Sequence, residues 1–158
     1  MSIDAADRDA PGVIAPPPLI YLAGLGIGFG LDALLPSASL PDALGTALGC
    51  LLLAAGLVLA GSFVSAFRRA HTPVDPGKAT TAIVTTGPYR LSRNPGYLAM
   101  ALAYAGIAVL TETLWAFVAL LPTLILIDRG VIKREERYLE RKFGEDYLRY
   151  KARTRRWL

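Results

Sequence analysis

Two polar clusters interrupt an otherwise apolar chain, and both hold residue types that bind charged ligands. The first runs Thr85-Thr86-Gly87-Pro88-Tyr89-Arg90-Leu91-Ser92-Arg93-Asn94-Pro95-Gly96-Tyr97, directly into an apolar stretch. Asn94 before Pro95 has the pattern of a helix N-cap followed by its first residue, with Arg90 and Arg93 at phosphate level. The same residues carry a second reading: free helix amides flanked by two arginines and two tyrosines suit an anionic or carboxylate-bearing ligand. The second cluster is Asp128, Arg129, Lys133, Arg134, Glu135 and Glu136. It reads either as the solvated face of a helix leaving a bilayer or as a pair of carboxylates that accept hydrogen bonds from a cationic cofactor.

Other chemistries lack their residues. His71 is the single histidine and Cys50 the single cysteine, so no cluster for zinc or iron is expected, nor a disulfide. His71 precedes Thr72-Pro73 and no nucleophile elbow occurs, which disfavours a Ser-His-Asp hydrolase. Gly24, Gly26, Gly28 and Gly30 alternate, but the third glycine of G-x-G-x-x-G is missing. Gly26 and Gly30 are instead expected to let two membrane helices approach closely, and Gly45 and Gly49 repeat that spacing.

The elements that position these clusters are membrane spans. Of 158 residues 53% are hydrophobic and 19% charged, which excludes a disordered tail or nucleic-acid arm as a description of the chain. Apolar runs cover about residues 19–35, 44–67, 95–110 and 113–128, which predicts an all-α, polytopic integral membrane bundle of about four transmembrane helices. The last two form a helical hairpin about the polar Thr111-Glu112-Thr113, each short against a hydrocarbon core of ~30 Å. Residues 1–18 are expected to be a mobile tail with no cleavable signal peptide, and 19–158 a single domain.

All 17 Lys and Arg fall on one side of this four-span layout, so both termini and the loop 68–94 are expected in the cytoplasm. The basicity is thereby explained by the membrane, without nucleic acid. Trp115 and Trp157 suit interfacial positions. Beyond Arg129 a basic, amphipathic C-terminal helix carries Leu139, Phe143, Tyr147 and Tyr150 on one stripe, broken near Gly144, and suits the anionic inner leaflet. Pro122, midway along span four, offers a kink through which an apolar substrate could enter sideways, or is simply a tolerated proline.

In order, Thr72-Pro73-Val74-Asp75-Pro76, Val84-Thr85-Thr86-Gly87-Pro88-Tyr89-Arg90, Arg93-Asn94-Pro95-Gly96-Tyr97, a hairpin, Glu135-Glu136-Arg137-Tyr138-Leu139 and Phe143-Gly144-Glu145-Asp146-Tyr147 resemble the isoprenylcysteine carboxyl methyltransferase and phospholipid methyltransferase superfamily. The resemblance covers about residues 70–157. It implies an integral membrane methyltransferase that uses S-adenosyl-L-methionine, without a Rossmann domain and without a metal. Carried onto this chain, the cofactor positions are Thr81, Val84, Tyr89, Asn94, Pro95, Gly96, Tyr97, Glu135 and Glu136. Three departures stand out: Asn94 replaces the histidine of the eukaryotic carboxyl methyltransferases, Ala99 a later glycine, and Val131 the arginine that meets the substrate carboxylate. Arg129 is the expected substitute for that arginine.

Methyl transfer from a sulfonium is an in-line displacement, so positioning and exclusion of water supply much of the catalysis. Tyr89 and Tyr97 are expected to face the cation, and Arg90, Arg93 or Arg129 an anionic acceptor or lipid phosphate. The acceptor is expected to be lipophilic or membrane-associated, with carboxylate, thiol and amine all open, as is the oligomeric state. The rival is a non-catalytic membrane module whose basic C-terminal helix binds anionic lipid or a protein partner. A transport subunit is disfavoured because spans two to four carry no charge.

Overall fold

A computed structural model describes residues 10–35, 42–73 and 80–158. Residues 36–41, which join the first two apolar runs, the Val74-Asp75-Pro76 motif, Lys78 and the first nine residues lie outside it. Six helices follow in order: α1 (Pro17–Leu34), α2 (Asp42–Arg69), α3 (Pro95–Leu110), α4 (Leu114–Ile127), α5 (Lys133–Phe143) and α6 (Glu145–Arg153). Among the described residues there is no strand beyond one isolated parallel bridge between Ser92 and Arg155. The bundle is all-α, as the sequence predicts, and its fourth apolar run does not end at residue 128. Instead α4 passes through a π turn, Asp128–Ile132, into α5, and Leu114–Phe143 is one continuous 30-residue helix. At 1.5 Å per residue it is about 45 Å long against a hydrocarbon core of ~30 Å, so about its last ten residues project past the hydrocarbon.

Among the described residues three helices are long and apolar enough to cross a membrane, Pro17–Leu34, Gly45–Arg69 and Leu114–Phe143, whereas α3 is shorter. Their outward faces are apolar: Leu22 is 62% and Val58 71% exposed, with Leu51, Leu57, Val118 and Leu121 also open. Such a surface is stable against lipid rather than water. Inside, Ile20, Tyr21, Tyr104, Ala108, Ala116, Ile127, Val131 and Ile132 form one buried cluster that joins α1, α3, α4 and the π turn.

Close packing between helices rests on small residues, but not on the expected pair of α1. Gly24 and Gly28 are buried, and a Cβ on Gly28 would stand 2.5 Å from Ala116 Cα of α4, while one on Gly24 would overlap Thr123 Oγ1. Gly26 and Gly30 face open space. Both pairs have the four-residue spacing, and only their phase, half a turn apart, separates them. Between α2 and α3, Gly49 lies against Gly106 and Leu110, and Gly56 against Ala99 and Ala103, while Gly45 is open.

The hairpin turn is built from side chains that close on the backbone. Thr111 Oγ1 donates to Ile107 O at 2.8 Å, Thr113 N donates to Ala108 O at 3.0 Å, and Glu112 takes a φ of 52°. Pro122 stands on the exposed face of α4. At the other end, the segment expected to be a tail meets the bundle, where Ile14 N donates to Gly130 O at 3.4 Å.

The two glycine phases on α1 give a direct test. Gly28→Leu is expected to destabilise the detergent-solubilised protein by at least about 2 kcal/mol, since its Cβ meets backbone that cannot yield, and Gly30→Leu by under about 0.5 kcal/mol. Thermal unfolding of the two variants decides it; equal loss would place α1 in another rotation.

Candidate functional site

The two polar clusters meet at one end of the bundle. The 3₁₀ turn Gly87–Arg90 and the start of α3 supply one side, α5 supplies the other, and α6 closes behind them. Between them lies a cavity of about 330 Å³, within the range of small-molecule sites. Val84, Tyr89, Arg93, Asn94, Gly96, Tyr97, Glu135 and Glu136 line it. The sequence singled out all eight. Thr81, Pro95, Arg90 and Arg129 are not among its lining residues: Thr81, Arg90 and Arg129 are exposed, and Pro95 is fully buried as the first residue of α3. Pro122 does not reach the cavity either.

The paired glutamates have different tasks. Glu136 is 5% exposed and is gripped from two sides. Arg93 Nη2 donates to its Oε1 at 2.9 Å, and Arg156 Nη2 to its Oε2 at 2.6 Å. Burial alone would raise its pKa; the hydrogen bonds and charges of Arg156 and Arg93 outweigh that and hold the carboxyl below its ordinary value. Glu135 accepts a hydrogen bond from Tyr97 Oη at 2.5 Å and, among the described residues, pairs with no cation. Its carboxyl lines the cavity. Burial pushes it up to about 7, with the Tyr97 hydrogen bond opposing and the charge of Glu136 adding to the rise.

Arg93, expected at the acceptor, is occupied. Besides Glu136 it donates from Nη1 to Lys151 O at 3.0 Å and to Thr154 O, so its guanidinium clamps the chain end. Asn94 does stand at the N-cap position, but its side chain makes no capping bond. Its Nδ2 donates to Arg156 O at 2.9 Å, while Ser92 Oγ donates to the same carbonyl at 3.2 Å. With Arg93 N donating to Arg155 O at 2.9 Å, residues 154–156 form a strap along the entrance to α3. Arg156 thus belongs to the site although no spacing in the sequence marks it out among eleven basic residues of the C-terminal region.

An aromatic wall faces the carboxylate. Phe63 and Phe67, one turn apart at the end of α2, pack with ring centroids 5.0 Å apart, and Tyr89 stands 5.7 Å from Phe67. Gly96 admits Phe63, whose ring would come within 3.1 Å of a Cβ there. Tyr150 Oη donates to Tyr89 O at 2.8 Å, and Tyr147 and Tyr150 complete the wall. Phe63 and Phe67 escaped sequence reading because, inside a long apolar run, their i, i+4 spacing looks like any packed face. A carboxylate that pairs with no cation among the described residues, in a cavity lined by aromatic side chains, suits a compact organic cation. No group of three or more potential metal ligands occurs among the described residues.

The division between the glutamates predicts opposite stability effects. Glu136→Gln leaves two arginines around a neutral amide and is expected to cost about 3 kcal/mol, the scale of breaking a buried pair. Glu135 has a folded pKa above its unfolded value, so as a carboxyl it withdraws stability as pH rises from about 4.5 through about 7. Glu135→Gln is therefore expected to unfold at an equal or higher temperature at pH 8. Thermal unfolding of both variants at pH 5 and pH 8 checks this; matching losses would show the two carboxylates doing one job.

Comparison with known proteins places this geometry in a family. The family model described as phospholipid methyltransferase matches residues 44–146, which contain both glutamates, the 3₁₀ turn and the hairpin. An uncharacterised protein from Haemophilus influenzae is 44% identical over 55 residues, 32% of this chain and 87% of that protein. The nickel-cobalt-cadmium resistance protein NccN of Alcaligenes xylosoxydans xylosoxydans is 35% identical over 75 residues, 46% of this chain. The cobalt-zinc-cadmium resistance protein CzcN of Cupriavidus metallidurans is 35% identical over 78 residues, 49% of this chain. The chain spans only about a third of the length of these two, 35% and 36%. No solved structure matches it. From the match over most of its length, and from the membrane bundle that carries the matched residues, this chain belongs to the phospholipid methyltransferase family.

Proposed function

We propose that this protein is an integral membrane methyltransferase that takes its methyl group from S-adenosylmethionine and passes it to a lipophilic acceptor. The observation that carries the proposal is Glu135: a carboxylate that pairs with no cation among the described residues and lines a cavity walled by Phe63, Phe67 and Tyr89. The donor set fits the cofactor. S-adenosylmethionine supplies an electrophilic methyl on a sulfonium cation, and Glu135 with the ring faces offers charge and polarisability to such a cation.

Each residue then has a stated part. Tyr97 Oη holds Glu135 by its hydrogen bond and fixes its orientation. Asn94 and Arg93, pinned by the strap, set the entrance of α3 and exclude water from that side. Ala60, Val64 and Met100 line the same cavity and give the acceptor's hydrocarbon an apolar place, which aligns it for in-line attack. Arg90 and Arg129, exposed outside the cavity, are placed for a phosphate at the membrane surface rather than for the reacting centre. With Arg93 committed, no free guanidinium among the described residues lines the cavity, which favours an acceptor whose reacting group is not an anion.

Binding should report the proton on Glu135. A cation favours the ionised carboxyl, so affinity for S-adenosylmethionine is expected to rise as pH increases through about 7. Glu135→Gln should weaken binding by about 1 to 3 kcal/mol and flatten that dependence. Titration calorimetry between pH 6 and pH 8 checks both, and undiminished binding in Glu135→Gln would end the proposal.

The orientation follows from the one-sided Lys and Arg: the cavity end faces the cytoplasm and the Thr111–Thr113 turn the opposite side. In a Cys50→Ser background, Arg90→Cys should label with an impermeant maleimide from the cytoplasmic face and Thr111→Cys from the other. Labelling of both from one face would make the hairpin re-entrant.

A further inference from the structure

We propose, resting on the methyltransferase reading, that the segment 11–18 is the acceptor-side wall of the cavity, and that Ile14, seated on Gly130, is the positioning residue that sets acceptor specificity. Pro11, Pro17 and Pro18 line the cavity. Three proline rings present carbon and no amide N–H, so this wall offers no backbone donor at those positions and suits a hydrocarbon chain. Ala60, Val64 and Met100 line the same cavity, which makes it amphipathic: carboxylate and tyrosine hydroxyl at one part, aliphatic carbon and proline at another.

The wall is held by a few identifiable contacts. Gly12 takes a φ of 61°, a left-handed turn that carries the chain from Pro11 toward the bundle. Its carbonyl accepts a hydrogen bond from Arg134 Nη1 at 2.8 Å. Ile14 N donates to Gly130 O, and the Ile14 side chain fills the space where a residue-130 side chain would be, so that a Cβ there would overlap Ile14 Cδ1 and stand 2.9 Å from Cγ1. Val13 and Ala15 pack on the buried cluster at either side. Arg134 and Gly130 belong to the helix that carries Glu135, so the wall and the carboxylate share that support.

Residues 11–18 also lie before the matched region, which begins at residue 44. The glutamates, the 3₁₀ turn and the entrance of α3 lie within it. The geometry therefore assigns cofactor handling to the part shared with relatives, and choice of acceptor chain to a segment outside that part.

The test uses the full chain in detergent, with Ile14→Ala, Gly130→Ala and the double variant. Ile14 does not line the cavity, so affinity for S-adenosylmethionine should stay within about twofold in Ile14→Ala, while the KM for radiolabelled methyl transfer into a total lipid extract of the expression host should rise roughly tenfold, the scale of one or two lost methylene contacts. Gly130→Ala should raise that KM likewise, and the double variant should recover part of it because the shortened side chain at position 14 leaves room for the new methyl. An unchanged acceptor KM in Ile14→Ala, or a parallel loss of S-adenosylmethionine affinity, would overturn the assignment.

A second measurement does not depend on activity. In the Cys50→Ser background, Pro18→Cys should prefer N-dodecylmaleimide over N-ethylmaleimide more strongly than the lipid-facing Leu22→Cys does, and Ile14→Ala should reduce that preference to the Leu22→Cys level. If the wild type neither binds S-adenosylmethionine nor transfers methyl, the proposed function fails and this labelling still decides the wall. No difference between positions 18 and 22 would remove it.

Discussion

The carboxylate of Glu136, held between Arg93 and Arg156, is the constraint on which the site depends. It connects three parts of the chain that no helix joins: the entrance of α3, the first turn of α5 and the strap after α6. Charges with so little solvent around them are costly to bury, and the cost is offset only because both guanidiniums have further partners, Asp128 at 3.2 Å for Arg156 and two carbonyls for Arg93. Removing Glu136 leaves the Arg93 guanidinium, 10% exposed, without its anionic partner. The network therefore specifies one arrangement of α3, α5 and the strap, and the cavity is the space that arrangement leaves.

Once Glu136 is neutralised by its arginines, Glu135 is left to act alone. Adjacent residues on a helix point about 100° apart, which lets one face the protein and the next face the cavity. Burial raises the Glu135 carboxyl to about 7, so near neutral pH it stands between the protonated and ionised forms. The Tyr97 hydrogen bond moderates the rise and keeps the oxygen directed at the cavity.

The sequence displayed the spans, the hairpin and eight of the residues that line the cavity, because apolar runs and a polar loop before a capped proline are local signals. What it hid are relations of phase and contact. Gly26 and Gly30 carry the same spacing as Gly24 and Gly28, and only the rotation of α1 against Ala116 and Thr123 tells them apart. Asn94 looked like a cap because the residue type and Pro95 fit one, yet the chain end competes for its amide and wins it. Arg93 and Arg156 resemble any solvated arginine until the fold surrounds a carboxylate with them. The resemblance to known methyltransferases supplied residue positions, but it could not distinguish a glutamate that binds from one that holds the scaffold.

The π turn at Asp128–Ile132 ties these observations together. One residue more than an α-helical turn rotates everything downstream by about 100° relative to the membrane part of the same helix. Within α4 the face formed by Ala116, Ala119, Thr123 and Ile127 is buried; beyond the turn, the buried residues of α5 are Glu136 and Tyr138. The extra residue is thus what lets one continuous helix bury alanines against α1 inside the bilayer and then present two glutamates to the cavity. It also brings Gly130 opposite Ile14 and Asp128 opposite Arg156. A single irregularity in a 30-residue helix thus separates the residues packed on α1 from the glutamates that line the cavity.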